Sequence, residues 1–169
     1  MDVADEIATP QLLLRRATAD DTPHMHRIFT NPDAMRYWSS LPHTDLAQTE
    51  KWMASMIEAP AELSDDYIVT LDNDVIGKLG CWRLPEIGFL LDPSLWGCGY
   101  ASEALSAFID HRRAKGGEEL TADVDPRNGS SIRLLEKAGF EESGCAARTW
   151  QLGDEWCDSL YLRLDLTRR

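Results

Sequence analysis

The chain has 169 residues, of which 43% are hydrophobic and 27% are charged, and its formal net charge is −12 at pH 7. This length and balance predict one compact globular domain with a buried core and exclude a disordered or fibrous protein. The acidic charge argues against a nucleic-acid surface, and neither a membrane-length apolar run nor a signal-like N-terminus is evident, so we expect a cytoplasmic protein.

The first third of the chain predicts one strand followed by helices. A short run at residues 12–16, apolar and then basic, indicates the strand. The acidic pair at residues 20–21 is suited to begin a helix, and Asn31-Pro32 is expected to end it. Thr44 is the predicted N-cap of a second helix, whose apolar side chains recur at helical spacing until Pro60.

The middle of the chain changes to short β-rich runs. Three of them, at residues 67–71, 75–82 and 86–91, predict an antiparallel meander, because a turn-forming Asp-Asn-Asp separates the first two. A glycine-containing loop follows, and then a pattern of helical period from Ala101 that ends at Gly116-Gly117.

The last third predicts a strand at residues 120–124, a helix at 130–138, and two β-rich runs at 140–151 and 156–166. No linker, repeat or low-complexity segment interrupts the chain. The pattern therefore indicates a mixed α/β fold in a single domain that spans residues 1–169.

The cysteines and histidines give no sign of a metal site. The four cysteines show no C-x-x-C spacing and do not cluster with the four histidines. We expect free thiols and no bound metal.

The loop from Trp96 to Tyr100 reads WGCGY and separates a predicted strand from a predicted helix. Its two glycines leave backbone N–H groups unhindered at the helix N-terminus, where the helix dipole favours anions. Such a loop is suited to bind phosphate, although a sharp turn alone also requires glycines. A Walker loop is excluded because Gly-Lys-Ser/Thr is missing, and the dinucleotide-binding motif is incomplete.

A second segment, from Asn128 to Phe140, reads NGSSIRLLEKAGF. Together with WGCGYASEA from Trp96 onward, it resembles the two cofactor-binding motifs of GNAT acetyltransferases, in the same order and at a similar separation. The resemblance covers nearly the whole chain and is greatest to the branch that contains RimJ and RimL. It implies a mostly antiparallel sheet of six or seven strands, flanked by helices and splayed into a V after residues 86–91.

The resemblance also implies acetyl-CoA as cosubstrate, bound where the sheet splays. The backbone of the strand and of the glycine loop would hold it, and Cys98 is expected to offer its N–H rather than its thiol. The residues implied to bind acetyl-CoA are Phe89, Leu90, Leu91, Trp96, Gly97, Cys98, Gly99, Tyr100, Ala101, Asn128 and Ser131.

Two residues are implied to move protons. An alkyl amine has a pKa near ~10.4, so it must lose a proton before it can attack at neutral pH. Glu86, in the sequence Glu-Ile-Gly-Phe, matches the frequent general base of the family. Leu135 stands where many members carry a tyrosine that protonates the departing thiolate, and Ser131, one turn away, is the expected substitute. The alternatives are an ordinary strand charge at Glu86 and a helix-capping role for Ser131.

The acceptor is implied to be a primary amine, on a small molecule or a protein N-terminus, that attacks directly in a ternary complex. Aromatic faces attract ammonium groups, although each aromatic is also suited to packing. The candidate acceptor-binding residues are Tyr37, Trp38, Trp82, Trp150 and Asp158. We expect a monomer or homodimer with no nucleic-acid or membrane partner. A non-catalytic CoA-binding module is the alternative from another class.

Overall fold

The computed structural model describes residues 6–168, which contain eight strands and five α-helices. The strands are β1 (Glu6–Ala8), β2 (Leu12–Arg15), β3 (Asp65–Leu71), β4 (Asp74–Arg83), β5 (Glu86–Leu91), β6 (Glu119–Val124), β7 (Glu141–Leu152) and β8 (Glu155–Asp165). The helices are α1 (Thr22–Phe29), α2 (Pro32–Met35), α3 (Leu46–Glu58), α4 (Tyr100–Ala114) and α5 (Gly129–Lys137). None of these helices is long and apolar enough to cross a membrane.

The strands form one open sheet in the order β1-β2-β3-β4-β5-β6-β8-β7. Each neighbouring pair is antiparallel except β5 and β6, which run parallel. The predicted mixed α/β fold with a mostly antiparallel sheet is confirmed. The described residues contribute eight strands, one more than the upper expectation, because Glu6–Ala8 pairs with β2. That strand was missed because three residues are too short to show a period of two.

Apolar side chains cover both faces of the sheet. One face packs against α4 and α5 in a cluster that includes Leu79, Leu105, Phe108 and Leu135. The opposite face packs against α1 and α3 around Met25, Phe29 and Met53, among others. Because side chains alternate along a strand, these two layers assign each strand residue to one face.

Two helix starts differ from the sequence expectation. Helix α1 ends just before Asn31-Pro32, as predicted. Pro32 also begins the short helix α2, because a proline at the first helical position loses no hydrogen bond. The N-cap of α3 is Asp45 and not Thr44, because the Asp45 carboxylate accepts the Gln48 N–H at 2.9 Å. Thr44 instead donates its own N–H to the Gln48 side chain.

The sheet opens between its two parallel strands. β5 and β6 are in register only at Glu86 and Thr121, next to a hydrogen bond of 3.0 Å from Thr121 N–H to the Pro85 carbonyl. Beyond that pair, the edge of β5 that faces β6 has no strand partner within residues 6–168. The strands therefore diverge towards Leu91, and the glycine loop and α5 lie at the open end.

Candidate active site

A cleft of about 700 Å³ occupies the opening between β5 and β6, a size within the range of small-molecule sites. It is bounded by the end of β5, the glycine loop, one side of α5 and the segment around α2. Twelve of the residues predicted from the sequence line it: Tyr37, Trp38, Phe89, Leu90, Leu91, Trp96, Gly97, Gly99, Tyr100, Ala101, Asn128 and Ser131.

The glycine loop has the backbone that its sequence suggests. Gly97 and Gly99 both adopt positive φ angles, of 75° and 85°, which residues with side chains rarely adopt. Gly99 is also the N-cap of α4, a helix of 15 residues. A Cβ atom built on either glycine would find no atom within 4 Å. The loop thus presents open space at the positive end of a helix, the geometry that suits a phosphate.

Asp92 anchors the turn that leads into this loop. Its carboxylate pairs with Arg27 and accepts hydrogen bonds from the Ser94 N–H at 3.0 Å and the Ser94 hydroxyl at 2.8 Å. Burial opposes ionisation of Asp92, but these hydrogen bonds outweigh it and lower its pKa. The Trp96 indole N–H adds a bond of 3.2 Å to the Leu91 carbonyl, so the loop is fixed to the end of β5.

The N-terminus of α5 is capped by Asn128 and not by Ser131. The Asn128 side chain accepts the Ser131 N–H at 3.3 Å. The Ser131 hydroxyl makes no hydrogen bond within residues 6–168, although Ser131 lines the cleft. Leu135 is fully buried in the core, and Leu134 lines the cleft in its place. No acid is therefore supplied by residue 135.

Three basic side chains at the cleft were missed by the sequence analysis: Arg36, Arg133 and Lys137. In a chain with a net charge of −12, such a group of cations marks a place suited to anions. Arg133 and Lys137 are four residues apart on α5, so helical periodicity would have placed them together. Arg36 comes from a distant segment, and only the tertiary structure brings it to the same cleft.

Glu86 lies at the closed end of the V, outside the cleft itself. It shares a sheet face with Gly88 and Leu90, the side that packs against α1 and α3. The residue is open to solvent, yet partial burial of the carboxyl raises its pKa, and the negative charge of Asp123 on β6 raises it further. A carboxyl with a raised pKa is a stronger base, once ionised, than an ordinary glutamate.

Trp38 stands between Glu86 and the cleft on the same face. A Cβ atom added to Gly88 would lie 3.9 Å from Trp38 Cη2, so the indole covers the β5 backbone there. The Lys78 ammonium lies 5.9 Å from the Trp38 ring centroid. Lys78 is buried and pairs with the buried Asp66 at 2.8 Å, which neutralises a cation that would otherwise repel an ammonium group.

Four further predicted residues do not line the cleft. Cys98 is exposed, with its thiol 3.8 Å from the Trp96 carbonyl. Trp82 on β4 is 51% exposed, with the Arg83 guanidinium 5.5 Å from its ring. Trp150 and Asp158 belong to the β7–β8 hairpin, where the Asp158 carboxylate accepts the Arg148 N–H at 2.9 Å.

The four cysteines are all unpaired, and residues 6–168 contain no group of three or more His, Cys, Asp or Glu side chains placed to hold a metal ion. The cleft itself offers backbone N–H donors and three basic side chains, and the Glu86 carboxyl lies near it.

The family profile described as "Acetyltransferase (GNAT) domain" matches residues 11–141, which include β5, the glycine loop and α5. The chain belongs to the GNAT acetyltransferase family. It is accordingly an acyltransferase that depends on acetyl-CoA, as the two sequence motifs indicated.

Proteins similar to this GNAT enzyme include an N-acetyltransferase related in sequence and solved acetyltransferase structures that share its fold. The uncharacterized N-acetyltransferase p20 of Bacillus licheniformis is 27% identical over 150 residues, which cover 83% of this chain and 84% of that protein. A RimL ribosomal L7/L12 alpha-N-protein acetyltransferase in complex with coenzyme A has the same fold, with a TM-score of 0.84 at 21% identity over 95% and 97% of the two chains. Spermidine N-acetyltransferase from Vibrio cholerae, in complex with CoA and spermine, superposes with a TM-score of 0.81 at 19% identity over 94% and 97%.

Proposed function

We propose that this enzyme transfers the acetyl group of acetyl-CoA to a primary amine, which attacks directly while both substrates occupy the site. The observation that supports the proposal is the cleft at the open end of β5 and β6, where a glycine loop suited to bind anions lies near a sheet face that bears a carboxyl of raised pKa. The named activities of relatives, on a protein N-terminus and on spermidine, agree with an amine acceptor.

The cleft fits the parts of acetyl-CoA in order. The backbone of Gly97 to Ala101 would bind the pyrophosphate at the N-terminus of α4. Arg36, Arg133 and Lys137 would neutralise the remaining phosphate charge. The unpaired edge of β5 would bind the extended pantetheine arm as an added strand, with Asn128 on the opposite side. When bound, acetyl-CoA supplies the acetyl group as a thioester, and CoA leaves as the thiolate when the C–S bond breaks.

The amine would approach from the face that carries Glu86 and Trp38. Tyr37 and Trp38 both line the cleft, and the Trp38 ring would offer an aromatic face to an ammonium group, whereas the Tyr37 ring already lies beside the Arg36 and Arg127 guanidinium groups. Glu86 would accept the proton of the amine, directly or through one water, as the nitrogen forms its bond to the acetyl carbon. Its raised pKa makes it a stronger base than an ordinary carboxylate.

The departing thiolate needs a proton or a hydrogen bond from the other side. Ser131 lines the cleft, and its hydroxyl is not used by any other described residue. It would donate that hydrogen bond. A thiol has a pKa near ~8.5, so the thiolate is a tolerable leaving group and needs only modest assistance.

The proposal is tested by release of free CoA from acetyl-CoA in the presence of a panel of amines, including polyamines, amino acids and peptides with free N-termini. At least one amine should accelerate CoA release, with an acetylated product of the expected mass. A protein that binds acetyl-CoA and yet acetylates no amine above the uncatalysed rate would be a non-catalytic CoA-binding module.

A further inference from the structure

The guanidinium of Arg127 lies outside the cleft and contacts three separate segments of the chain. Arg127 lies between β6 and α5, and it contacts the Asp125 carboxylate, the Glu155 carboxylate and the face of the Tyr37 ring. From this arrangement we infer that Arg127 is a positioning residue that couples the cofactor cleft to the β7–β8 hairpin. The inference rests on the proposed function, since it assumes that CoA occupies this cleft.

The contacts with Asp125 hold the turn that carries Asn128. Arg127 donates to this carboxylate from its backbone N–H at 2.9 Å, from Nε at 3.0 Å and from Nη2 at 2.7 Å. These hydrogen bonds keep the pKa of the buried Asp125 below its usual value. The Asp125 carbonyl in turn accepts the Asn128 N–H at 2.8 Å. The position of Asn128 in the cleft therefore depends on the Asp125–Arg127 pair.

The same guanidinium reaches the tip of the β7–β8 hairpin. Its Nη1 atom lies 2.6 Å from Glu155 Oε1, and both side chains are more than half exposed. An ion pair so exposed contributes little to the free energy of unfolding. Its effect is geometric, because Asp125 holds the guanidinium through Nε and Nη2 and thereby fixes the position of the third nitrogen, Nη1.

The hairpin tip also contacts the segment that follows Trp38. A Cβ atom added to Gly153 would lie 3.4 Å from Leu41 Cδ1, and residues 39–44 and 151–153 together line a second cavity of about 390 Å³. The tip therefore borders the side from which the acceptor would enter. A ligand that fixes the Asn128 turn would restrain this tip through Arg127.

Hydrogen exchange measured by mass spectrometry, with and without coenzyme A, tests this coupling on the whole protein. CoA should slow exchange in the glycine loop and, by at least about threefold, in residues 150–157 of the wild-type protein. In Glu155→Gln the slowing at the glycine loop should persist while the slowing at the hairpin is lost. Arg127→Lys should behave in the same way, because an ammonium group cannot bridge both carboxylates with the geometry of the guanidinium.

Glu119→Gln is the matched control. It breaks the ion pair between Arg163 and Glu119, which also joins an exposed arginine to a glutamate, here a partly exposed one, but does not border the cleft. This control should retain CoA-dependent protection of the hairpin. With an amine acceptor from the panel, Glu155→Gln should raise the acceptor KM by about 3–10-fold at nearly unchanged kcat, and the control should not.

The outcomes separate the two proposals. If CoA protects the glycine loop but protects the hairpin equally in wild type and Glu155→Gln, or in neither, the coupling is wrong and the proposed function stands. If calorimetry shows that CoA does not bind the wild-type protein, both proposals fail. Loss of hairpin protection in Glu119→Gln as well would show that any lost ion pair has this effect, which also overturns the role of Arg127.

Discussion

At the scale of single residues, the role of Glu86 can be tested by changing its charge without changing its shape. Glu86→Gln removes the proton acceptor, so kcat with an amine acceptor should fall by ~10²–10⁴ while the affinity for CoA stays unchanged. Two measurements test this: the turnover of the mutant over a range of pH values, and its affinity for CoA by calorimetry. Turnover that stays near wild type across the pH range would exclude Glu86 as the base.

The raised pKa of Glu86 also sets the sign of two pH effects. Wild-type kcat/KM should fall as the pH drops through a value above the ordinary pKa of a glutamate, and this limb should be missing in Glu86→Gln. A folded-state pKa above the unfolded value means that the stability contributed by the protonated carboxyl is present at low pH and is lost as the pH rises through the folded pKa. Glu86→Gln should therefore be no less stable than wild type at pH 7, as urea unfolding would show.

Ser131 offers a second test at the same scale. Because Asn128 accepts the Ser131 N–H, Ser131→Ala keeps the helix cap and removes only the hydroxyl. Turnover should slow by roughly ten- to a hundred-fold, which corresponds to a hydrogen bond of about 1–3 kcal/mol to the departing thiolate. Ser130→Ala is the control, since Ser130 precedes it and lines the same cleft. Equal effects of the two substitutions on turnover, or none, would contradict a specific role.

At the scale of elements, the glycine loop and α4 allow a matched pair of substitutions. Gly99 and Gly116 flank the two ends of this helix, have φ angles of 85° and 77°, and each leave room for a Cβ atom. Alanine at either position thus carries a similar backbone strain, of order 1–3 kcal/mol. Gly99→Ala alone would also place a methyl group where the phosphate approaches the backbone donors.

We therefore expect Gly99→Ala to weaken CoA binding by about tenfold or more, measured by calorimetry, and Gly116→Ala to leave it near the wild-type value. The two variants should lose similar amounts of stability in urea unfolding. Unchanged CoA affinity in a folded Gly99→Ala protein would show that the loop does not bind the phosphates.

At the scale of the whole molecule, the net charge of −12 and the basic residues of the cleft act on the two substrates in opposite ways. The overall field should draw a cationic amine towards the protein, and salt should screen that attraction. We expect kcat/KM for the amine to fall several-fold between about 0.05 and 0.5 M salt. A rate constant that rises with salt would mean that long-range attraction does not assist acceptor binding.

Much of the fold and part of the site followed from local patterns. The meander before the glycine loop, α4 and α5 were predicted because hydrophobic period and turn residues depend on neighbours in the chain. The predicted cap Thr44 is wrong by one residue: both Thr and Asp are suited to cap a helix, and only the hydrogen bond from the Gln48 N–H identifies Asp45. The strand at Glu6–Ala8 was not predicted, because only its hydrogen bonding to β2, and no local sequence pattern, makes it a strand.

The sequence by itself determined the family, the fold class and the glycine loop, because two motifs carry their own backbone requirements. Only the tertiary structure decided which distant side chains meet. It brought Arg36 to the same cleft as Arg133, and it partly buried the Glu86 carboxyl near Asp123, so that burial and the Asp123 charge both raise the pKa of Glu86. It also kept Asp158 in its own hairpin. These contacts between distant residues depend on the strand order and on the position at which β5 and β6 diverge. Both are set by the packing of the two sheet faces and not by any local run of residues.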